Sequence, residues 1–382
     1  MKKIRIISTF IFLLVIAGCS SAKKTQTITG GNEVLRVMRL TNKYFMDKWP
    51  DAGKPIVTNQ ERPSNIWTRS VYYEGLMALY SIDKKKEYYE YALQWGEKHG
   101  WGLRGGANTR NADNQSCGQT YIDMYLLGDK QHPEWVKDIK ASVDLMMATN
   151  KVDDWNWIDA IQMAMPVFVK LGNLYQDTSY FGRMYGMYAF TKYKHGGNGL
   201  YNPVDKLWWR DKDFVPPYKE PNGKNCYWSR GNGWVVAALS RILSALPKTD
   251  PHYSEYLQDY KDMLSALLPL QREDGYWNVS LHDPDHFGGK ELSGTSLFVY
   301  GMAWGINNNV IDKKIYLPVV QKAWNALARE CVRSDGSLGY VQGTGKEPKD
   351  GQPVSYDHIP DFEDYGLGCF LLAGSEVFKL KN

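Results

Sequence analysis

The clearest helical pattern in the chain lies in residues 66–82, which read IWTRSVYYEGLMALYSI. Its apolar side chains recur at the spacing of one face of an α-helix, as Leu76, Met77, Leu79 and Tyr80 illustrate. Such a stripe predicts a helix that buries this face against a neighbouring element. Similar segments, separated by polar loops or by loops containing Gly and Pro, follow one another along most of the chain.

These segments predict about a dozen helices in one domain. The predicted segments are 32–48, 66–82, 84–99, 115–128, 133–149, 157–174, 177–193, 231–246, 251–270, 292–307, 313–332 and 364–380. No Pro/Ser-rich linker divides them, and no fixed-period consensus marks the alternative, a superhelical repeat array. We therefore expect an all-α fold over residues 32–382, in which the helices close into a double ring, an (α/α)6 barrel.

Charge and composition exclude one class of function, nucleic-acid binding, and are compatible with another, sugar binding. The formal net charge of +4 falls to +1 if residues 1–18 are removed, because they carry Lys2, Lys3 and Arg5 and no acid. A nearly neutral chain lacks the basic surface that nucleic-acid binding requires, so no nucleic-acid partner is expected. Aromatic residues make up 14% of the chain, which fits either helix packing or stacking against sugar rings.

The N-terminus predicts an exported bacterial lipoprotein. A basic start is followed by the apolar run 6–16 and then by Ala17, Gly18 and Cys19. The run is short for a membrane span and ends in small residues, which is typical of a cleavable signal over residues 1–18. The ending resembles the bacterial lipobox, in which the Cys becomes the lipidated first residue; the alternative is an ordinary signal peptide. We expect residues 19–31 to tether the domain to a membrane through Cys19, in the periplasm or at the cell surface.

The remaining cysteines and histidines do not predict a metal or cofactor site. The four cysteines after Cys19 show neither CxxC nor Cys/His spacing, and we expect buried free thiols, although export permits disulfides: Cys117, Cys226, Cys331 and Cys369. His282 and His286 have no further partner at ligand spacing, so a solvated loop is the simpler interpretation.

Two aspartates stand at the starts of predicted helices. Asp113 precedes the segment 115–128, where a helix N-cap is the structural alternative to a catalytic role. Asp159 lies between Trp157 and Met163, and Asp153 and Asp154 are rival caps for the same helix. A carboxyl group among apolar side chains is desolvated, which raises its pKa toward that of a general acid.

The most unusual block is Trp228-Ser-Arg230-Gly-Asn-Gly-Trp234. An arginine can bind a carboxylate with two parallel hydrogen bonds, and indole rings can form the walls of a sugar site. The alternative is a structural arginine stacked on aromatic rings. Arg210, in the stretch Trp208-Trp209-Arg210-Asp211, is the reserve candidate for binding a carboxylate.

Three blocks together resemble glycoside hydrolase family 105, the unsaturated rhamnogalacturonyl hydrolases. This family is related to the unsaturated glucuronyl hydrolases of family 88. The blocks are the Trp228–Trp234 motif, Trp157-Ile-Asp159, and residues 365–376, which read YGLGCFLLAGSE. The resemblance implies an (α/α)6 barrel, with Asp159 as general acid/base and Asp113 as a second essential carboxylate. It also implies that substrate is contacted by Trp157, Met163, Trp228, Arg230 and Trp234.

The resemblance implies removal of a 4,5-unsaturated uronate, the sugar that polysaccharide lyases leave at a non-reducing end. The C4=C5 enol ether would be hydrated, with no metal or redox cofactor. Asn202 stands where family members commonly carry a site His, which predicts a neighbouring sugar other than rhamnose, such as galactose. The alternatives are a non-catalytic glycan-binding lipoprotein and another (α/α)6 hydrolase or an epimerase.

Overall fold

The computed structural model describes residues 30–58, 60–360 and 363–380, and over these it is almost entirely helical. The predicted signal peptide and Cys19 lie outside the described residues. The α-helices are α1 (Gly31–Lys48), α2 (Trp67–Ile82), α3 (Lys86–Lys98), α4 (Ala112–Gln115), α5 (Cys117–Leu127), α6 (Lys137–Met147), α7 (Asp159–Tyr175), α8 (Ser179–Tyr193), α9 (Ser229–Ala245), α10 (Tyr253–Leu267), α11 (Leu292–Asn307), α12 (Lys313–Ala326) and α13 (Asp364–Lys379). Two small antiparallel pairs join β1 (Ile56–Val57) to β2 (Glu61–Arg62) and β3 (Tyr201–Asn202) to β4 (Leu207–Trp208).

The helices alternate between an inner and an outer ring. Each inner helix packs against the next, and the last packs against the first, which closes the ring α2, α5, α7, α9, α11 and α13. The outer helices cover them, and helix α1 shows the pattern by burying Val34, Val37, Met38 and Phe45 at helical spacing. This architecture is the (α/α)6 barrel expected from the sequence.

Small residues let the inner helices approach one another closely. A Cβ atom at Gly233 in α9 would lie only 2.9 Å from the Cβ of Leu297 in α11. At Gly301 in α11, an added Cβ would lie 2.2 Å from the side chain of Val236 in α9. The two helices can therefore pack this tightly only because both positions lack a side chain.

The two ends of the barrel differ in the length of the connections between helices. The inner helices are followed by the short connections 83–85, 128–136, 176–178, 246–252 and 308–312. The outer helices are followed by the longer connections 49–66, 99–116, 148–158, 194–228, 268–291 and 327–363. We call the end with the longer connections the site end and the opposite end the base. All inner helices begin at the site end, so their positive N-terminal ends converge there.

The sequence placed most helices within a few residues, and the main differences lie at the ends of predicted segments. The segment predicted at 133–149 begins with a 3₁₀ turn, Pro133–Val136, before α6 starts. The segment predicted to reach residue 332 leaves the α-helix after Ala326 and continues as a π-helical turn, Leu327–Cys331. The four cysteines expected to be free are buried and unpaired. Within the described ranges, no helix combines the length and the apolar character needed to cross a membrane.

Candidate active site

A cavity of about 160 Å³ opens at the site end of the barrel. It is lined by all of the predicted catalytic and substrate-binding residues: Asp113, Trp157, Asp159, Met163, Trp228, Arg230 and Trp234. Its remaining lining residues are Trp67, Arg210, Thr344 and Gly345. The structure therefore brings together side chains from six different parts of the chain.

Asp159 is the first residue of α7 and is 8% exposed. Its Oδ2 accepts a hydrogen bond from Nε of Arg210 at 2.8 Å, and its buried Oδ1 has no hydrogen-bond partner within the described residues. Burial raises the pKa of Asp159, and the charge of Arg210 partly opposes this shift. The side chain is thus not a helix cap, because its partner is a guanidinium group.

Arg210 reaches Asp159 because two long connections pair at the site end. Trp157 forms an isolated antiparallel bridge with Asp211, and the backbone N–H of Ile158 donates to the carbonyl of Arg210 at 2.9 Å. Nη1 of Arg210 also donates to Oδ2 of Asp211 at 2.7 Å. The pairing holds the guanidinium group between two carboxylates.

Asp113 also faces the cavity without acting as a helix cap. The N-cap of α4 is Asn111, whose side chain accepts from the backbone N–H of Asn114 at 3.2 Å. Burial, and secondly the negative charge of Asp159, raise the pKa of Asp113 to about 7, against the opposing charge of Arg210. At neutral pH the two aspartates together therefore retain a proton for part of the time.

Arg230 lines the cavity and is also hydrogen-bonded to the protein backbone. Its guanidinium group is fully buried and lies 4.4 Å from the ring centre of Trp228. Nη1 donates to the carbonyl of Gln342 at 3.0 Å, and Nη2 donates to the carbonyl of Gly343 at 2.8 Å. Nε of Arg230 has no hydrogen-bond partner within the described residues, so the same guanidinium group still offers an N–H to a substrate carboxylate, and its role in binding substrate stays a prediction. Arg210, the reserve candidate, is the arginine that faces both catalytic candidates.

Aromatic rings form the walls of the cavity. Trp67 and Trp234 meet edge to face with ring centres 6.3 Å apart. The indole N–H of Trp228 donates to the side-chain oxygen of Gln342 at 2.9 Å, which fixes that ring. Flat apolar rings are suited to the C–H faces of a sugar, and they also exclude water from the two aspartates.

The sequence model of Glycosyl Hydrolase Family 88 matches residues 37–381. The chain belongs to glycosyl hydrolase family 88. A curated relative is the unsaturated 3S-rhamnoglycuronyl hydrolase of Formosa agariphila (strain DSM 15362 / KCTC 12365 / LMG 23005 / KMM 3901 / M-2Alg 35-1), 33% identical over 83% of this chain and 85% of the relative.

Two further similarities agree with this assignment. A protein of the same name from Alteromonas sp. (strain LOR) is 29% identical over 82% of this chain and 78% of its own length. The solved structure of a glycosyl hydrolase family 88 protein from Bacteroides vulgatus has a TM-score of 0.82 at 31% identity, covering 92% of this chain and all of that chain. The fold and the family are thus shown over most of the described residues.

Asn202 has a different place in this family 88 chain from the one expected. Its amide N–H groups donate to Oη of Tyr227 at 2.7 Å and to Oδ2 of Asp205 at 3.0 Å. Its side-chain oxygen accepts from the backbone N–H of Val204 at 2.9 Å, and Asn202 is not among the residues that line the cavity. Asn202 therefore stabilises the 194–228 connection, and the reason for expecting a neighbouring sugar other than rhamnose is removed.

A cluster that the sequence did not reveal lies outside the cavity. Glu220, Asp283 and His286 place one ligand atom each within 4.8 Å of one another. Nδ1 of His286 lies 2.6 Å from Oε2 of Glu220, and Oε1 of Glu220 accepts from Ser280 at 2.8 Å. These hydrogen bonds join the connection 194–228 to the connection 268–291, which accounts for the cluster structurally.

The cavity of this family 88 protein can bind an anion and move a proton. Arg210 and the converging helix N-termini supply positive charge, while Asp113 and Asp159 supply groups that exchange a proton near neutral pH. Arg210 was only a reserve candidate in the sequence, because nothing local predicts its pairing with residues 157–159. Trp67, Thr344 and Gly345 carry no catalytic signature in the sequence, and only the fold brings them to the site.

Proposed function

We propose that the protein removes a 4,5-unsaturated uronate from the non-reducing end of lyase-generated oligosaccharides by hydrating its C4=C5 enol ether. The observation that carries the proposal is the buried Asp159, held by Arg210 and facing Asp113 across a small aromatic cavity. A cavity of this size suits a single terminal sugar. Two relatives named unsaturated 3S-rhamnoglycuronyl hydrolases support the same reaction class.

Asp159 serves in turn as acid and base. Its carboxyl proton goes to C4 as the electron pair of the double bond forms the new C–H bond. Water then adds to the cation at C5 and returns a proton to the Asp159 carboxylate. The C5 hemiketal opens to a ketone, and the hemiacetal left at C1 releases the neighbouring sugar. Since C1 is not displaced directly, the distance between the two carboxyl groups does not indicate retention or inversion.

Arg210 couples substrate binding to the protonation of Asp159. In the structure Arg210 is paired with Asp159 and Asp211, and its charge opposes the rise in the pKa of Asp159. A uronate carboxylate that binds Arg210 competes with Asp159 for the same guanidinium group. The pKa of Asp159 then rises further, because burial is no longer opposed as strongly. Binding the correct anion thereby prepares the acid that the first step needs.

Asp113 completes the site by holding a proton beside Asp159. Its pKa of about 7 means that it is mostly a neutral acid in slightly acidic solution, where it can donate a hydrogen bond to a sugar hydroxyl or to the attacking water. Ionisation of Asp113 would place a second negative charge beside the uronate. This role predicts that activity declines on the alkaline side of pH 7.

We also propose that the chain belongs with the family 105 type and accepts rhamnose as the neighbouring sugar. The Trp228–Trp234 motif supports the family 105 type, and two relatives carry rhamnoglycuronyl names. The exposed Arg104 acts electrostatically on Asp113, so a cation lies near the cavity for a sulfate group on that sugar. Release rates from unsaturated uronyl-rhamnose, its 3-sulfated form and unsaturated uronyl-galactose test this, and a preference for galactose would contradict it.

The reaction itself is tested with matched disaccharides. We expect the unsaturated uronyl-rhamnose substrate to lose its conjugated ultraviolet band and to release rhamnose. The saturated uronyl-rhamnose control should release none, because it has no enol ether to protonate. A glycan-binding protein without activity would leave both disaccharides intact.

We propose that the protein is exported and lipidated at Cys19, on the evidence of the basic start, the apolar run and Ala17-Gly18-Cys19. Growth of an expressing bacterium with a labelled fatty acid should label the full chain. Cys19→Ser should remove the label. Equal labelling of both forms would exclude Cys19 as the attachment point.

A further inference from the structure

Helix α1 gives the chain a direction relative to the catalytic cavity. At its start, Gly31 lies against Phe378 in the last turn of α13, since an added Cβ would be 3.3 Å from that ring. At its end, Lys48 forms an ion pair with Glu363, the residue before α13 begins. Helix α1 therefore begins at the base and ends at the site end.

The segment that precedes α1 consequently joins the barrel at its base. Residues 20–30 separate Cys19 from α1, and they can span at most about 40 Å when fully extended. The 18 residues of α1 add about 27 Å between this attachment point and the site end.

The base also carries surface features that suit a phospholipid bilayer. Four large apolar side chains are exposed there, each by 42% or more: Leu126, Leu127, Tyr175 and Ile315. Exposed lysines lie in the same connections and helix ends: Lys84, Lys86, Lys130, Lys248, Lys313, Lys314 and Lys379. They outnumber the exposed acids of this end, which are Glu87, Asp129, Glu134, Asp177 and Asp312. Apolar side chains and lysines together favour contact with an anionic membrane surface.

We propose that the base is the membrane-facing surface of the protein and that the catalytic cavity opens away from the bilayer. The inference rests on the proposed lipid attachment at Cys19. In this orientation the site end is turned toward the surrounding solution, so an oligosaccharide can bring its non-reducing end to Asp159 without meeting the membrane.

Apolar exposure alone does not decide the orientation. Val57 and Val204 are 65% and 85% exposed at the site end, more than any apolar residue of the base. The deciding observation is the point at which the segment after Cys19 joins the barrel, and the excess of exposed lysines over exposed acids at the same end agrees with it. Val57 and Val204 instead offer matched control positions for an experiment.

Depth-dependent fluorescence quenching measures the orientation directly. The mature, lipidated chain is reconstituted in vesicles of phosphatidylethanolamine and phosphatidylglycerol that contain doxyl-labelled lipid. Gln131→Cys at the base and Val204→Cys at the site end are labelled separately, because the other thiols of the described chain are buried. We expect several-fold stronger quenching at position 131 than at 204. Equal quenching, or stronger quenching at 204, would overturn the proposal.

Further variants test the lipid anchor, the orientation and the catalytic function separately. The Leu126→Ser/Leu127→Ser pair should reduce quenching at position 131, whereas Val57→Ser/Thr58→Ala at the site end should leave it unchanged. If Cys19→Ser binds the vesicles as fully as the lipidated chain, lipid attachment does not hold the protein and the proposal fails. Turnover of the unsaturated disaccharide is measured in the same samples. If the otherwise unchanged lipidated chain shows the expected quenching pattern but does not turn over the disaccharide, the result counts against the proposed function and supports the orientation.

Discussion

Both ends of the barrel bury a carboxylate beside an arginine, but only one end has the features of an active site. At the site end Asp159 is paired with Arg210. Toward the base, the fully buried side chain of Glu74 lies 3.4 Å from Nη1 of Arg241. Burial raises the pKa of both acids, and the neighbouring arginine opposes the shift in each case. A buried carboxylate with a shifted pKa is therefore not sufficient evidence of catalysis.

The two ends differ in how the negative charges are balanced. Toward the base, Glu74 has Arg241, and Asp123 has its own cation in Lys170. Gln162 also donates to Oε2 of Glu74 at 2.8 Å. Each acid there has a separate positive partner, as expected of a group that stabilises the barrel.

At the site end Asp159 and Asp211 share one arginine, Arg210, and Asp113 has no ion pair among the described residues. Arg210 is hydrogen-bonded to Asp159 and Asp211, while Asp113 keeps a pKa of about 7. Burial raises the pKa of both Asp113 and Asp159 and so keeps a proton at the site, although the charge of Arg210 opposes it, and tryptophan rings form the cavity walls. The clefts at the base are larger, at 710 and 530 Å³, but they lack this combination. The two ends therefore differ in whether their acids have separate or shared positive partners, more than in burial or in volume.

The largest effect is expected from Asp159→Asn. This change removes the proton donor and little volume, so we expect turnover to fall by roughly 10²–10⁴-fold, the usual contribution of a general acid–base group. Circular dichroism and the thermal melting curve should stay close to those of the unchanged protein. Activity within about tenfold of the original would contradict the role of Asp159.

Arg210→Gln should have the next largest effect. Loss of a charge-assisted hydrogen bond to the uronate should lower kcat/KM by roughly 10–100-fold. Arg241→Gln is the matched change at the base, and it should reduce thermal stability while leaving kcat/KM unchanged. If a carboxyl-reduced substrate is processed as well as the uronate, Arg210 does not bind a carboxylate.

Asp113 should set the alkaline limit of activity. Because its pKa is raised to about 7, its carboxyl group loses its proton as the pH rises through that value. We expect kcat/KM to fall up to tenfold per pH unit above this point. In Asp113→Asn the side chain no longer titrates, so the residual activity should lose this limb. An unchanged pH profile in that variant would assign the limb to another group.

Glu74→Gln should change stability and leave the chemistry intact. The pKa of Glu74 is raised from 4.5 to about 7 in the folded state, so the folded protein binds more protons than the unfolded chain between these values. The free energy of unfolding should therefore decrease as the pH rises through this window, by about 3 kcal/mol at most from this group. Denaturant titrations should show a weaker pH dependence in the variant, and a loss of kcat would place Glu74 in the catalytic machinery instead.

The barrel could be predicted from the sequence because the spacing of apolar residues marks most of its helices individually. The apolar stripe of 66–82 indicates a helix that packs against a neighbouring element, and similar segments recur along the chain. The 3₁₀ turn at Pro133 and the π-helical turn after Ala326 were missed, because such local changes depend on neighbouring packing.

The site was predicted where a motif and an unusual environment coincide in the sequence. Asp159, between Trp157 and Met163, is such a case, and so is the Trp228–Trp234 block. The partner of Asp159 could not be chosen from the sequence, because Arg210 is positioned by a bridge between two long connections. The sequence also could not show that Arg230 binds the backbone carbonyls at 342 and 343, because these partners are far away in sequence.

The most direct test of the central claim is a parallel time course on unsaturated uronyl-rhamnose. The conjugated ultraviolet band and the released rhamnose are followed in the same reaction, with Asp159→Asn as the control. If Asp159 protonates C4, the band must disappear no later than rhamnose is released, and both signals must be lost together in the variant. Release of rhamnose while the band persists would show direct cleavage at C1 and would contradict hydration of the enol ether.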